Sequence, residues 1–248
     1  MNSVKGWAAA LAVVSSLAGT APTAAQTSSA PPFVGVAPIP APGDVFSAWL
    51  GYARTRDFSG GFGGFVYALN QRNLNAEGFI LRGELYGGVY DPSVDTWGWA
   101  LMFGYRVGLA GGFLTGYAGA AFETHNNTPI GATIAGSQGG AKFAIEYLIP
   151  ERGSFEFYSV ATYSTVFETY FAFVRPSFRV APPFRLGPEV MFFGNSAYRD
   201  VKVGGFVGFK IDQILQRGEI VLSGGYLHPL VSGSPDGYYV NVTLSITR

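Results

Sequence analysis

The feature that most constrains this chain is a period of two that recurs from Asp44 to residue 248. It is nearly strict between residues 97 and 109. Trp97, Trp99, Leu101, Phe103, Tyr105, Val107 and Leu109 hold the odd positions, and Gly98, Ala100, Met102, Gly104, Arg106 and Gly108 hold the even ones. Successive side chains of a β-strand leave opposite faces, so this segment has one bulky apolar face and one small face carrying a single charge. A helix would scatter the same residues around its circumference.

The pattern returns along the chain. Phe79, Leu81, Leu85 and Val89 oppose Arg82, Glu84, Tyr86 and Tyr90; Phe143, Ile145, Tyr147 and Ile149 oppose Gln138, Lys142 and Glu146; Tyr238, Val240, Val242, Leu244 and Ile246 oppose Tyr239, Asn241, Thr243 and Ser245. Short clusters of Gly, Pro, Asn and Asp separate the segments. Twelve segments are expected, at 45–54, 60–70, 78–90, 97–109, 113–125, 137–149, 154–165, 169–180, 184–193, 199–211, 219–228 and 237–247. An even number of strands with no helix between them predicts a closed antiparallel up-and-down β-barrel. About 9–11 residues per strand is the length that crosses a bilayer at a tilt. The fold class expected is therefore all-β, a transmembrane barrel over residues 44–248. Pro176 and Pro188 fall inside segments eight and nine, where each removes a ladder donor, and a bulge or an early strand end is expected there.

Which face turns outward is decided by composition. Charged residues make up 13% of the chain, against about 25% for soluble domains, while aromatics reach 16%. A soluble β-sandwich or lipocalin-like barrel is the alternative, with the apolar face inside. Against it, the second face is mostly Gly, Ala, Ser and Thr and lacks the dense Lys and Glu of a solvated exterior. One face of large residues from twelve strands would also overfill the interior. Turned outward, those residues meet outer-membrane lipid, and Trp97, Tyr105, Phe113, Tyr147, Phe184 and Tyr238 fall where interfacial girdles lie. A formal net charge of zero leaves no electrostatic case for a nucleic-acid partner.

The first residues have the layout of a secretory leader: Lys5, an apolar run from Ala8 to Ala18, and Thr23-Ala24-Ala25 before Gln26. A signal peptide over 1–25 is expected, placing the barrel in the bacterial outer membrane. Residues 26–43 are proline-rich and uncharged and read as an extended periplasmic spacer, or as a tract for a proline-binding partner. The longer connections at 126–136, 91–96 and 229–236 would then lie outside the cell.

The small-faced side is expected to line the lumen. Its candidate residues for a polar pore or a glycan surface are Arg82, Glu84, Tyr86, Arg106, Tyr117, Glu123, Lys142, Glu146, Glu156, Tyr158, Arg175, Arg179, Arg185, Glu189, Lys202 and Tyr239. Such mixed charges either pair across the interior and block it or line a narrow passage. Aromatic rings there fill space around glycines, or stack on the apolar faces of sugar rings while charged groups bind the hydroxyls.

No catalytic residues, metal site or cofactor are expected. Both histidines, His125 and His228, read as surface-loop residues, and the chain has no cysteine. A membrane hydrolase would need one of them beside a serine and an acid; Ser223, Ser232, Ser234 and Asp236 surround His228 at loop-like spacing.

Three stretches, GFILRGELYGGVY (78–90), GSQGGAKFAIEYLIP (136–150) and GPEVMFFGNSAYRDVKVGGFVGFK (187–210), resemble the cellulose-biosynthesis protein BcsS family. The likeness covers most of the chain beyond the leader. It implies an outer-membrane protein of a cellulose synthesis and secretion system, with cellulose or another polysaccharide and other secretion components as partners. The expected role is non-enzymatic: export or surface handling of the polysaccharide. A non-conducting barrel that anchors a secretion partner is the alternative, and a membrane-embedded lipid or glycan hydrolase the third.

Overall fold

A computed structural model describes residues 40, 43–69, 73–90, 94–128, 134–211, 217–231 and 235–248. The expected leader and nearly all of the proline-rich stretch lie outside these residues.

Twelve strands form one closed antiparallel barrel in which every strand pairs with its neighbours in sequence. They are β1 (Phe46–Arg54), β2 (Phe58–Ala68), β3 (Gly78–Tyr90), β4 (Val94–Leu109), β5 (Gly112–Asn126), β6 (Gly136–Arg152), β7 (Phe155–Ser164), β8 (Tyr170–Ala181), β9 (Phe184–Gly194), β10 (Arg199–Lys210), β11 (Gly218–Pro229) and β12 (Gly237–Thr247). A short 3-10 turn at Val166–Glu168 joins β7 to β8. Closure comes from β1 against β12, with Ser47 opposite Thr247 and Arg54 opposite Val240. No edge strand is left, so every ladder has a partner on both sides.

The strand count and nearly all boundaries follow the alternation. The expectation at the two prolines is corrected. Both strands run through them, and the irregularity falls later, between Arg179 and Ala181. Val174 faces Val190 and Phe178 faces Leu186, which sets Pro176 opposite Pro188. Two residues without an N–H thus spoil the same point of one ladder, while Phe157 and Gly205 pair with them on the far sides.

The two ends of the barrel differ. One holds the start of β1, the end of β12, tight turns at 110–111, 153–154 and 182–183, and the longer connections from β2 to β3 and from β10 to β11. The turn at Ala110-Gly111 has both residues in the left-handed region, φ 47° and 84°, as a two-residue hairpin requires. The other end carries the connections around 91–93, 127–135 and 230–236. All three expected long connections therefore share the end opposite the start of β1 and the end of β12, although β4 already begins at Val94 and takes up 94–96. These are called the terminal end and the loop end below.

The outer wall is apolar. Leu50, Tyr52, Phe79, Leu85, the whole odd row of β4, Phe143, Ile145, Val180, Leu222 and Tyr238 are exposed, Tyr238 to 76%. Phe113 is a correction: its ring faces inward, with the Arg106 Cζ 6.0 Å away, because it shares the parity of buried Thr115 and Tyr117.

At β1 and β2 the size rule inverts. Trp49, Phe58, Phe62 and Val66 are buried inside, while Ser59, Gly61 and Gly63 take the outer face. Their rings lie over glycines of adjacent strands. A Cβ on Gly64 would stand 2.5 Å from Trp49 Cζ2 and 2.5 Å from the Gly83 carbonyl oxygen. Gly64→Val is expected to lower stability by about 1–3 kcal/mol through this overpacking, despite valine's preference for strands. Urea unfolding of the reconstituted barrel would measure it, and an unchanged or raised midpoint would refute the packing.

Candidate functional site

The site is the interior. Inward-facing Ala100, Ala121, Ala144 and Gly119 on β4, β5 and β6 leave room for long side chains to reach across the wall's curvature. Into that space β3 sends Arg82 and Glu84, β4 Arg106, and β6 Lys142 and Glu146. Arg82 Nε donates to Glu84 at 2.7 Å and its Nη1 to Glu146 at 2.8 Å. Arg106 Nη2 donates to Glu146 at 2.7 Å and its Nε to Thr115 at 2.8 Å. Its Nη1 donates to the Leu74 carbonyl. Lys142 Nζ donates to Glu84 at 2.6 Å. The Tyr158 and Tyr117 hydroxyls donate to the two Glu146 oxygens at 3.0 and 3.4 Å. Arg82 also lies over Trp49 and Tyr117, its Cζ 5.5 and 5.7 Å from the ring centres.

A second network occupies the other half of the ring. Arg175 and Glu189 sit opposite each other on β8 and β9 and pair at 2.5 Å, and Tyr239 donates to Glu189 at 2.9 Å. Arg185 bridges Glu156 on β7 and Glu219 on β11. It reaches Glu219 across β10 because Gly208 has no side chain there; a Cβ would meet a Glu219 oxygen at 2.5 Å. Arg175 Cζ lies 4.4 Å from the Phe206 ring centre, and Lys202 Nζ lies 4.9 and 5.3 Å from those of Phe193 and Tyr239. Tyr158 joins the halves, with its hydroxyl on Glu146 and its ring 6.2 Å from Phe173.

A third group lies at the loop end. His125 Nε2 and Glu123 Oε1 are 2.7 Å apart, and Tyr86 reaches Glu123. Burial holds the Tyr198 phenol, in the β9–β10 turn, well above its ordinary value, and Tyr90, Glu123, Asp200 and Tyr86 push it the same way.

Of the sixteen residues singled out from parity, fourteen are buried on the inner face and enter these networks, and Tyr86, partly buried, packs beside them. Arg179 is a correction. Its side chain is 39% exposed at the terminal end, paired with Glu151, because it lies past the wall where parity no longer implies enclosure. His125 is the second. It is buried and paired rather than a surface-loop residue, since β5 continues to Asn126. Sequence reasoning missed Glu219, Asp200 and Tyr198, and the inward Trp49, Phe58 and Phe62. The reversed alternation of FSGGFGGF was the available signal for the last two.

No Ser-His-acid arrangement comes together among the described residues. His228 is exposed, 2.6 Å from Asp236, whose carboxyl is held below its usual range by Tyr226 and then by His228. Ser223 sits on the opposite face of β11, where Asn241 donates to it. Ser232 and Ser234 lie outside the described residues. His125 faces inward, while the nearby Ser137 bonds Thr124 on the other face.

The fold is similar to that of the KdgM porin, solved alone and in complex with disordered oligogalacturonate. In both cases the TM-score is 0.51 at 10% identity, covering 82% of this chain and 99% of that chain. OpdK of Pseudomonas aeruginosa, solved with vanillate, matches at TM-score 0.40 and 11% identity over 77% of this chain and 56% of that one. These likenesses concern the fold alone. No curated protein matches the sequence. A family model described as cellulose biosynthesis protein BcsS matches residues 48–248.

Proposed function

The chain belongs to the BcsS family, which makes it a β-barrel of cellulose biosynthesis, and from that premise we propose that it sits in the bacterial outer membrane and aids export of the polysaccharide by handling it at the cell surface. One observation carries the reading. The barrel is inverted relative to a water-soluble fold, with exposed aromatic and aliphatic side chains on the wall and ion pairs on the axis. In water that wall would be an apolar patch far beyond what monomers tolerate, whereas in lipid it is matched. With the start of β1 and the end of β12 placed in the periplasm, the connections at 91–93, 127–135 and 230–236 lie outside.

The filled interior favours handling of the glucan outside the lumen over passage through it. Arg82 and Glu189, in opposite halves, have no solvent exposure, and Arg106, Lys202 and Tyr239 have almost none. The same observation supports a second reading, a non-conducting barrel that anchors a secretion partner.

Two measurements test these readings. Deleting the gene is expected to reduce secreted cellulose or disturb fibre assembly, and unchanged export with unchanged fibres would defeat the proposal. Purified protein in planar bilayers is expected to show no steady conductance; stable open steps of porin size would reinstate the lumen as the conduit.

A further inference from the structure

The outer wall is hollowed near the loop end. Ala161 on β7 and Ala172 on β8 pair with each other and turn outward, so two neighbouring strands present only methyl groups there. Taller side chains of the same rung stand on either side, Ile145 opposite Ala161 and Phe192 opposite Ala172. One rung nearer the loops, Phe143 on β6 pairs with Tyr163, and Tyr163 with Tyr170. The result is an open groove of about 670 Å³, lined by these residues with Arg199 and Leu230. That size falls within the ~300–1,000 Å³ of sites that hold ligands, and most of the lining is hydrocarbon.

The end of the groove nearest the loops is polar. Tyr170 pairs with Gly194, and Gly194 with Arg199, the first residue of β10. A Cβ on Gly194 would stand 2.6 Å from the Tyr170 hydroxyl, so the phenol lies across the glycine toward Arg199. The two side chains are within electrostatic reach of each other. The Leu230 N–H donates to the Arg199 carbonyl at 2.7 Å, which holds the backbone of Arg199 at the rim. Among the described residues of the lining the one carboxylate is Asp200, which belongs to the inner face, 3% exposed and within reach of Lys202.

We propose that this groove seats an acyl chain of a phosphorylated outer-leaflet lipid, lipid A, with a phosphate against Arg199 and the Tyr170 hydroxyl. A cation and a phenol at the membrane surface complement a phosphate, and the methyl-floored hollow below them complements the chain. A second barrel would bring a convex wall, which bridges such a hollow rather than fills it. The site rests on the reading that the loop end faces outward and is independent of cellulose.

The experiment uses the full-length protein in detergent, with native mass spectrometry reading the half-saturating lipid concentration. The probes are lipid A, the same lipid stripped of its phosphates, and phosphatidylglycerol. Lipid A should bind at one site, and loss of its phosphates should weaken binding about fivefold. Arg199→Gln should remove that difference. Ala161→Leu, which fills the hollow from the lipid side, should weaken both forms about fivefold or more, whereas Val207→Leu on another part of the wall should change neither. Unchanged binding in Ala161→Leu, equal binding with and without phosphate, or phosphatidylglycerol held as tightly as lipid A would each overturn the proposal. An Asn127→Cys variant exposed to a membrane-impermeant maleimide on intact cells reads the orientation separately. Labelling supports the outward loop end; its absence would overturn that reading and the outer-leaflet lipid with it.

Discussion

Replacing Glu146 by alanine should remove about 3–5 kcal/mol of stability, enough to leave much of the barrel unfolded under conditions where the parent protein survives. Glu146 accepts from Arg82, Arg106, Tyr158 and Tyr117. Its loss leaves Arg106 without a carboxylate, leaves Arg82 to share Glu84 with Lys142, and frees two buried hydroxyls. The loss comes from uncompensated partners rather than from the pair's own attraction, so a second change can relieve it. Arg82→Met combined with Glu146→Gln should recover part of the loss, because one surplus buried cation goes and the amide still accepts a bond. Urea unfolding in lipid vesicles, followed by tryptophan fluorescence, measures both variants. A single-variant loss below about 1 kcal/mol would mean that water screens the network as it screens surface pairs, and the interior would not be filled.

Arginine in place of Leu101, halfway along β4, should cost about 2–4 kcal/mol when the barrel folds into vesicles. At Leu109, the last residue of the same strand on the same face, it should cost only about 0–1 kcal/mol. Both leucines are exposed, Leu101 to 42% and Leu109 to 50%, so a water-facing wall would tolerate arginine at either within about 0.5 kcal/mol. The depth dependence is thus the signature of hydrocarbon around the wall. Equal, small costs at the two positions would remove the membrane from the account.

How much of this was legible in advance depends on the kind of information that period two carries. Alternation reports the side of the wall on which a residue falls. It therefore placed Arg82, Glu84, Lys142, Glu146 and Glu189 on the inner face and the β4 row outside. It says nothing of height along the axis. His125 and Arg179 share inner parity, yet one is buried near the loop end and the other projects past the terminal end. It also assumes that size follows side, and β1 and β2 break that assumption where Trp49 and Phe62 point inward over glycines. Phe113 failed for a simpler reason. An aromatic near a segment end looks like a girdle residue until parity is followed through Thr115 and Tyr117.

The partners of the inner charges are the clearest division. Glu146 and Arg82 are 64 residues apart and Arg185 and Glu219 are 34 apart, and no local pattern links them. The sequence by itself determined that there would be twelve strands, that they would close, and which flank of each would face lipid, because those properties follow from residue spacing along one strand. Which charge meets which and whether the lumen stays open were decided only when closure set the stagger between distant strands. Contact across a barrel is a property of the ring as a whole.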